Sequence, residues 1–119
     1  IEIQKIKLKI NDTLDNKINE YLGKTYGFKE EQIQKILLIS KTSLKDTLKE
    51  IEVALTDQNH KLLGILFHRI KGSLKNIGLN EPSEWAKKVE VEILDKQDIS
   101  QAEATLNKLR NYLEPFFVK

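Results

Sequence analysis

The chain contains no cysteine. Disulfides, thiolate metal sites and thiol catalysis are therefore excluded, and the composition fits a reducing cytosol. Long hydrophobic runs are missing too. No stretch approaches the ~18 apolar residues of a membrane span, and no signal-peptide pattern appears in it. Nor does one sign of charge dominate: 20 Lys and Arg stand against 18 Asp and Glu, interspersed, for a net charge of +2. That balance gives no global reason to expect a nucleic-acid or membrane partner. Two histidines, two prolines and five glycines leave few places for special chemistry.

What is present is the material of one domain. A length of 119 residues, 39% apolar and 32% charged, is a soluble globular composition. The chain opens on Ile1 rather than Met, and is expected to be an excised domain or a processed fragment of a longer protein. Residues 1–10 read as a linker or tail, with the alternation Ile6-Lys7-Leu8-Lys9-Ile10 as a short strand the other reading. Helical punctuation starts at Asn11-Asp12-Thr13, which supplies N-cap residues, and Gly23 and Gly27 close the first helix. No Gly or Pro interrupts residues 28–63. There Ile33, Ile36, Leu37, Leu44, Leu48, Ile51 and Leu55 form one apolar stripe. Thr56 to Asn59 reads as a turn that caps a third helix, from about Asn59 to Ile77, with Gly78 as its stop. Pro82 suits the first turn of a fourth helix carrying Trp85, Ala86, Val89 and Ile93. Ser100-Gln101-Ala102-Glu103 reads as a capping box for a last helix that buries Leu106, Leu109, Leu113 and Phe116. The expected fold is all-α: an antiparallel up-down four-helix bundle over residues 11–119, with one short additional N-terminal helix.

The third helix carries His68-Arg69-Ile70-Lys71-Gly72-Ser73. At 100° per residue, Leu63, Leu66, Phe67, Ile70, Leu74 and Ile77 fall within roughly 60° of one direction, the core face. His68 lies ~140° from its centre, Lys75 ~120°, Lys71 ~80° and Gly72 ~180°. The histidine therefore points outward, with Lys71, Gly72 and Lys75 at i+3, i+4 and i+7 and the apolar Ile65 at i−3. Imidazole titrates near neutrality, so an outward ring is in part nucleophilic at physiological pH. A phosphoryl adduct adds about two negative charges, which Lys71 and Lys75 would offset. Gly72 removes the side chain that would crowd the ring, at a cost of about 1 kcal/mol in a helix interior. Taken alone, the same residues also describe a solvated helix surface.

His68-x-x-Lys71-Gly72-Ser73, with Gly78 five residues later, resembles the signature of histidine-containing phosphotransfer (HPt) domains, and the likeness runs from about Leu14 to Leu113. The resemblance implies a phosphorelay carrier rather than an autonomous enzyme: His68 takes a phosphoryl group from a receiver-domain aspartate and passes it to a response-regulator aspartate. It further implies that Lys71 assists phosphate binding, that Gly72 lets the receiver approach, and that Ser73 is the small polar residue after it. Glu90 falls where the family places a polar residue near the imidazole, a position from which it would fix the tautomer; its other reading is a surface carboxylate. Ile65 is a candidate contact for the partner. The chain departs from the usual pattern at Leu74, Leu79 and Pro82, which leaves the start of the fourth helix open. No cofactor is expected on this chain, since Mg²⁺ would belong to the receiver. The expected partners are receiver domains of response regulators or of a hybrid sensor kinase. Neither nucleic acid nor direct membrane contact is expected. The expected state is a cytoplasmic monomer, free or as the cytoplasmic part of a membrane-bound kinase. Two alternatives stay open: a chemotaxis-type module phosphorylated from ATP by a separate kinase domain, and a bundle that docks receivers without accepting phosphate. His60 has no matching motif and reads as a surface residue.

Overall fold

The computed structural model describes residues 2–117, with side chains from residue 14 onward. Five helices follow one another: α1 Glu2–Tyr26, α2 Glu30–Thr56, α3 His60–Asn76, α4 Asn80–Lys96 and α5 Ala102–Phe117. No strand occurs among the described residues. The apolar stripe of α3 is buried as its spacing requires: Leu63, Leu66, Phe67, Ile70 and Leu74 are fully enclosed and Ile77 nearly so. Helix α3 lies between α2 and α4, and α5 closes the core against α2, α4 and α1. Gly64 of α3 faces Ile93 and Leu94 of α4, His68 meets Glu90, and Lys71 meets Ser83. Rising numbers on α3 thus pair with falling numbers on α4, so these two helices run in opposite directions.

The N-terminal helix differs from the sequence expectation. Residues 2–10 are not a strand but helical, the start of α1, which spans 25 residues and is not short. A lone strand has no ladder to join, whereas a helix satisfies its own backbone. No helix begins at Asn11, Asp12 and Thr13, because α1 passes through them, and Gly23 lies inside it. The helix ends at Gly27, whose φ of +66° is left-handed and whose N–H donates to the Gly23 carbonyl at 2.9 Å.

The helix ends around the motif follow the expected chemistry. The Asn59 side chain accepts from the Leu62 N–H at 3.1 Å and caps α3. At its other end Leu79 N–H donates to the Leu74 carbonyl at 2.9 Å and Gly78 N–H to the Lys75 carbonyl at 3.0 Å, a Schellman closure. Gly78 has φ +83°, and a Cβ there would stand 2.4 Å from Tyr21 Cγ on α1. Gly78→Ala therefore meets both a backbone penalty and a ring, and is expected to lower unfolding stability by about 2–4 kcal/mol. Urea denaturation checks this; a midpoint equal to the wild type would mean that neither the left-handed backbone nor the Tyr21 ring resists the added Cβ. The departure at Pro82 is absorbed without loss, since α4 starts at Asn80 and the proline sits in its first turn, where no helical N–H bond is needed. The capping box at Ser100 does not form as expected. Ser100 N–H donates instead to Asp98 Oδ1 at 2.9 Å, and α5 begins at Ala102. Hydrogen bonds from the Ser100 backbone and hydroxyl hold the Asp98 carboxyl below its ordinary range.

Candidate functional site

Burying the apolar stripe of α3 turns the opposite side of that helix outward. His68 stands there with its side chain 68% exposed. Beyond it the surface is open, because a Cβ on Gly72 would meet nothing within 4 Å. Lys75 is exposed and Ile65 half exposed, so both remain available on this side of α3. The helix spacing that fixed these directions in the sequence holds in the structure.

The neighbouring helix supplies the remaining group. Glu90 of α4 is buried, with its side chain only 8% exposed, and both its oxygens are engaged. Oε2 lies 2.6 Å from His68 Nδ1, and Oε1 accepts from Lys71 Nζ at 2.8 Å. An ionised carboxylate only accepts, so Nδ1 carries the hydrogen and donates it. The neutral ring then has its lone pair on Nε2. Burial pushes the Glu90 carboxyl up, but hydrogen bonds from Lys71 and His68, reinforced by the lysine charge, outweigh it and hold the group below the ordinary carboxylate range. The carboxylate is therefore ionised at neutral pH.

His68, Lys71 and Glu90 are brought into direct contact, and Gly72 and Ile65 flank them. Ser73 points elsewhere, lining the groove between α1, α2 and α3 with Asn76 and Ile77. Lys75 shares the outward side of α3 two turns beyond His68. His60 is exposed at the first residue of α3. Three features escaped the sequence reading. Ser83, buried on α4, donates its hydroxyl to the Lys71 carbonyl at 2.9 Å and locks the motif turn against α4. Arg69 donates to Glu50 of α2 at 2.9 Å. Gly64 faces Ile93 and Leu94 of α4, where an added Cβ would stand 3.5 Å from each, an ordinary van der Waals distance. Of these only Gly64 left a signal, a second glycine one turn before His68.

Chemically, the arrangement presents an accessible nitrogen nucleophile whose second nitrogen is fixed by a buried, ionised carboxylate, with a cation beside it. Among the described residues no group of three or more His, Cys, Asp or Glu is placed to hold a metal ion. Nor is any described helix long and apolar enough to cross a membrane. A family model described as the Hpt domain matches residues 35–115, from within α2 to near the end of α5. Comparison with curated proteins and with solved structures returns no match in either case.

Proposed function

The chain belongs to the Hpt domain family, and from that premise and the geometry of the α3–α4 surface we propose that His68 is its phosphoryl acceptor. Hpt domains are phosphocarrier modules of two-component signalling that work with receiver domains, and are not catalysts in their own right. In the reading advanced here, Nε2 of His68 attacks the phosphorus of a receiver aspartyl phosphate. The N–P bond forms as the P–O bond to the aspartate breaks, and the carboxylate leaves. The Nδ1 hydrogen stays on the ring, held by Glu90. A second receiver aspartate then attacks the phosphohistidine and frees the imidazole.

The observation that carries this reading is the division of labour on one ring. Nδ1 is tied to a buried carboxylate at 2.6 Å while the side chain is 68% exposed. A positioned nucleophile and an open approach are what the carrier must supply. Lys71 and Lys75 would offset the charge of the adduct, Gly72 would leave room for the receiver, Ser73 would keep the following position small, and Ile65 would contact the receiver. Mg²⁺ is assigned to the receiver, and this chain needs no cofactor of its own. A cytoplasmic location and an up-down course of the helices belong to the same reading, the latter supported by short connections.

The test is phosphotransfer from an acetyl-phosphate-charged receiver. Label that is lost in acid and stable in alkali is the expected result. A stably labelled product that survives acid would point to an oxygen ester and sink the assignment to histidine.

A further inference from the structure

Helix α3 carries the basic residues Lys61, Arg69, Lys71 and Lys75 and no Asp or Glu. Neighbouring helices match two of them, Arg69 by Glu50 of α2 and Lys71 by Glu90 of α4. Lys61 and Lys75 are exposed and take part in no ion pair among the described residues. At 100° per residue each lies about 20° from His68, one two turns before it and the other two turns after. Lysine, histidine and lysine therefore form a row along the helix. Lys87 of α4 adds a charge beside that row. It is exposed and likewise outside every ion pair among the described residues, one turn from Glu90, whose Oε2 is 2.6 Å from His68 Nδ1. The acid nearest Lys61 along the chain is Asp57, and no ion pair joins the two. The α2 side has no such excess: Arg69 is matched there, Asp46 shares its groove, and the exposed Leu38 and Ile39 line it. The surface around His68 is thus divided, cationic along α3 and α4 and apolar along α2, in a chain whose net charge is only +2.

We propose that Lys61 and Lys87, together with Lys75, form an electrostatic docking edge that selects receivers carrying carboxylates on one rim of their phosphoryl site. The inference rests on the reading of His68 as acceptor, and adds which receivers this chain serves and how they lie on it. The acidic rim of the partner sits over the α3–α4 edge and its apolar rim over α2. Lys61 and Lys75 each stand about 10 Å along the helix from His68, close to one Debye length at physiological salt, so they act together on an approaching surface. Exposed charges of this kind add little to the fold. They speed the encounter with an oppositely charged partner and slow a like-charged one. A protein fits this surface better than a nucleic acid does, because Leu38 and Ile39 lie on the same surface as the lysines and a phosphate backbone offers them nothing.

The test compares the wild type with Lys61→Glu/Lys87→Glu, using two probes: an acetyl-phosphate-charged receiver with rim carboxylates, and the same receiver with those carboxylates changed to amides. Binding and label transfer are both followed. The control is Lys45→Glu/Lys49→Glu, which makes the same charge change in the α2–α5 groove. With the acidic receiver at about 20 mM salt, the double variant should lose about tenfold in the second-order rate of transfer, with the rate at saturation unchanged. At about 0.5 M salt the loss should shrink to less than about twofold. The amide receiver should show little difference between wild type and variant, since the coupled partner charges are gone. The control should stay within about twofold of the wild type. An unchanged low-salt rate overturns the proposal, as does an equal loss in the control, which would make net charge the cause. A lowered rate at saturation that persists in high salt overturns it too, by showing damage to the site itself. So does duplex DNA held as tightly as the acidic receiver and released by the same variant, since the edge would then serve any polyanion. Salt-dependent binding that Lys61→Glu/Lys87→Glu abolishes, with no label on His68, would keep the docking edge and sink the carrier reading.

Discussion

A His68→Gln variant is expected to take up no phosphoryl label from a charged receiver, a fall of at least ~10³-fold, while folding and docking as the wild type does. The first half follows from chemistry: an amide nitrogen has no available lone pair, and no other imidazole stands on the outward side of α3 at this point. The second half follows from what the imidazole does for its neighbours. His68 is one of two groups that partner the buried Glu90. Truncation to Ala would strip a hydrogen bond from a carboxylate that water scarcely reaches, which costs about 1–3 kcal/mol. Gln carries its N–H donor one bond farther from the backbone than Nδ1, but its flexible chain can turn it back towards Glu90, and the side chain it replaces is 68% exposed, so its stability should stay within about 1 kcal/mol of the wild type. Thermal melting and receiver binding, measured beside the label, separate the two halves. Undiminished label on a well-folded His68→Gln protein would remove His68 from the reaction and move attention to His60.

The core of this fold was legible because one physical effect dominates it. The α3 stripe was read from spacing alone and is buried residue for residue, and the same spacing turned His68 outward. On α2, Ile33, Leu37, Leu44, Leu48 and Ile51 are buried as expected, with Ile36 and Leu55 packed at the margin. Asn59, Gly78 and Pro82 were readable because each answers a backbone need that few residues meet. The misreadings share a cause as well. Asn11-Asp12-Thr13 and Ser100 have capping side chains, but a cap forms only where the backbone stops being helical. In one case the helix continues, and in the other Asp98 captures the Ser100 N–H. Five alternating residues at Ile6–Ile10 are too short a window to tell a strand from one side of a helix.

The site was legible only in part, because it joins two helices. Helix periodicity places His68, Lys71 and Gly72 relative to one another. It says nothing of which residue on α4 lies opposite. That register is a packing relation between positions about thirty residues apart, as where Gly64 faces Ile93 and Leu94. Glu90 was therefore named through the family resemblance, and its simultaneous hold on Nδ1 and Lys71 emerged only from the structure. Ser83 and Thr47 illustrate the same limit. Their buried hydroxyls are satisfied by the carbonyls of Lys71 and Ser43, pairings that composition does not announce.

Gly72 offers a separation of stability from function that most site residues do not. A glycine in mid-helix costs about 1 kcal/mol relative to Ala, and here no packing requirement recovers it, since the space around its Cβ position is empty for 4 Å. Gly72→Ala and Gly72→Gln should both raise stability by about 0.5–1 kcal/mol, or about 2–4 °C in melting temperature. Their transfer rates should then diverge. Alanine adds one methyl group one turn from the imidazole and should cost little. Glutamine adds a long side chain on the surface that the receiver would cover under the proposed reading, which would hold Nε2 short of in-line attack. A misplacement of about 1 Å costs on the order of 10²-fold in a reaction that depends on alignment, and Gly72→Gln should lose at least that much. The pairing of greater stability with slower transfer is the signature of a position kept small for a partner rather than for the fold. If Gly72→Gln melts higher and still transfers at the wild-type rate, the receiver does not approach over this side of α3, and the open space beside His68 has no part in docking.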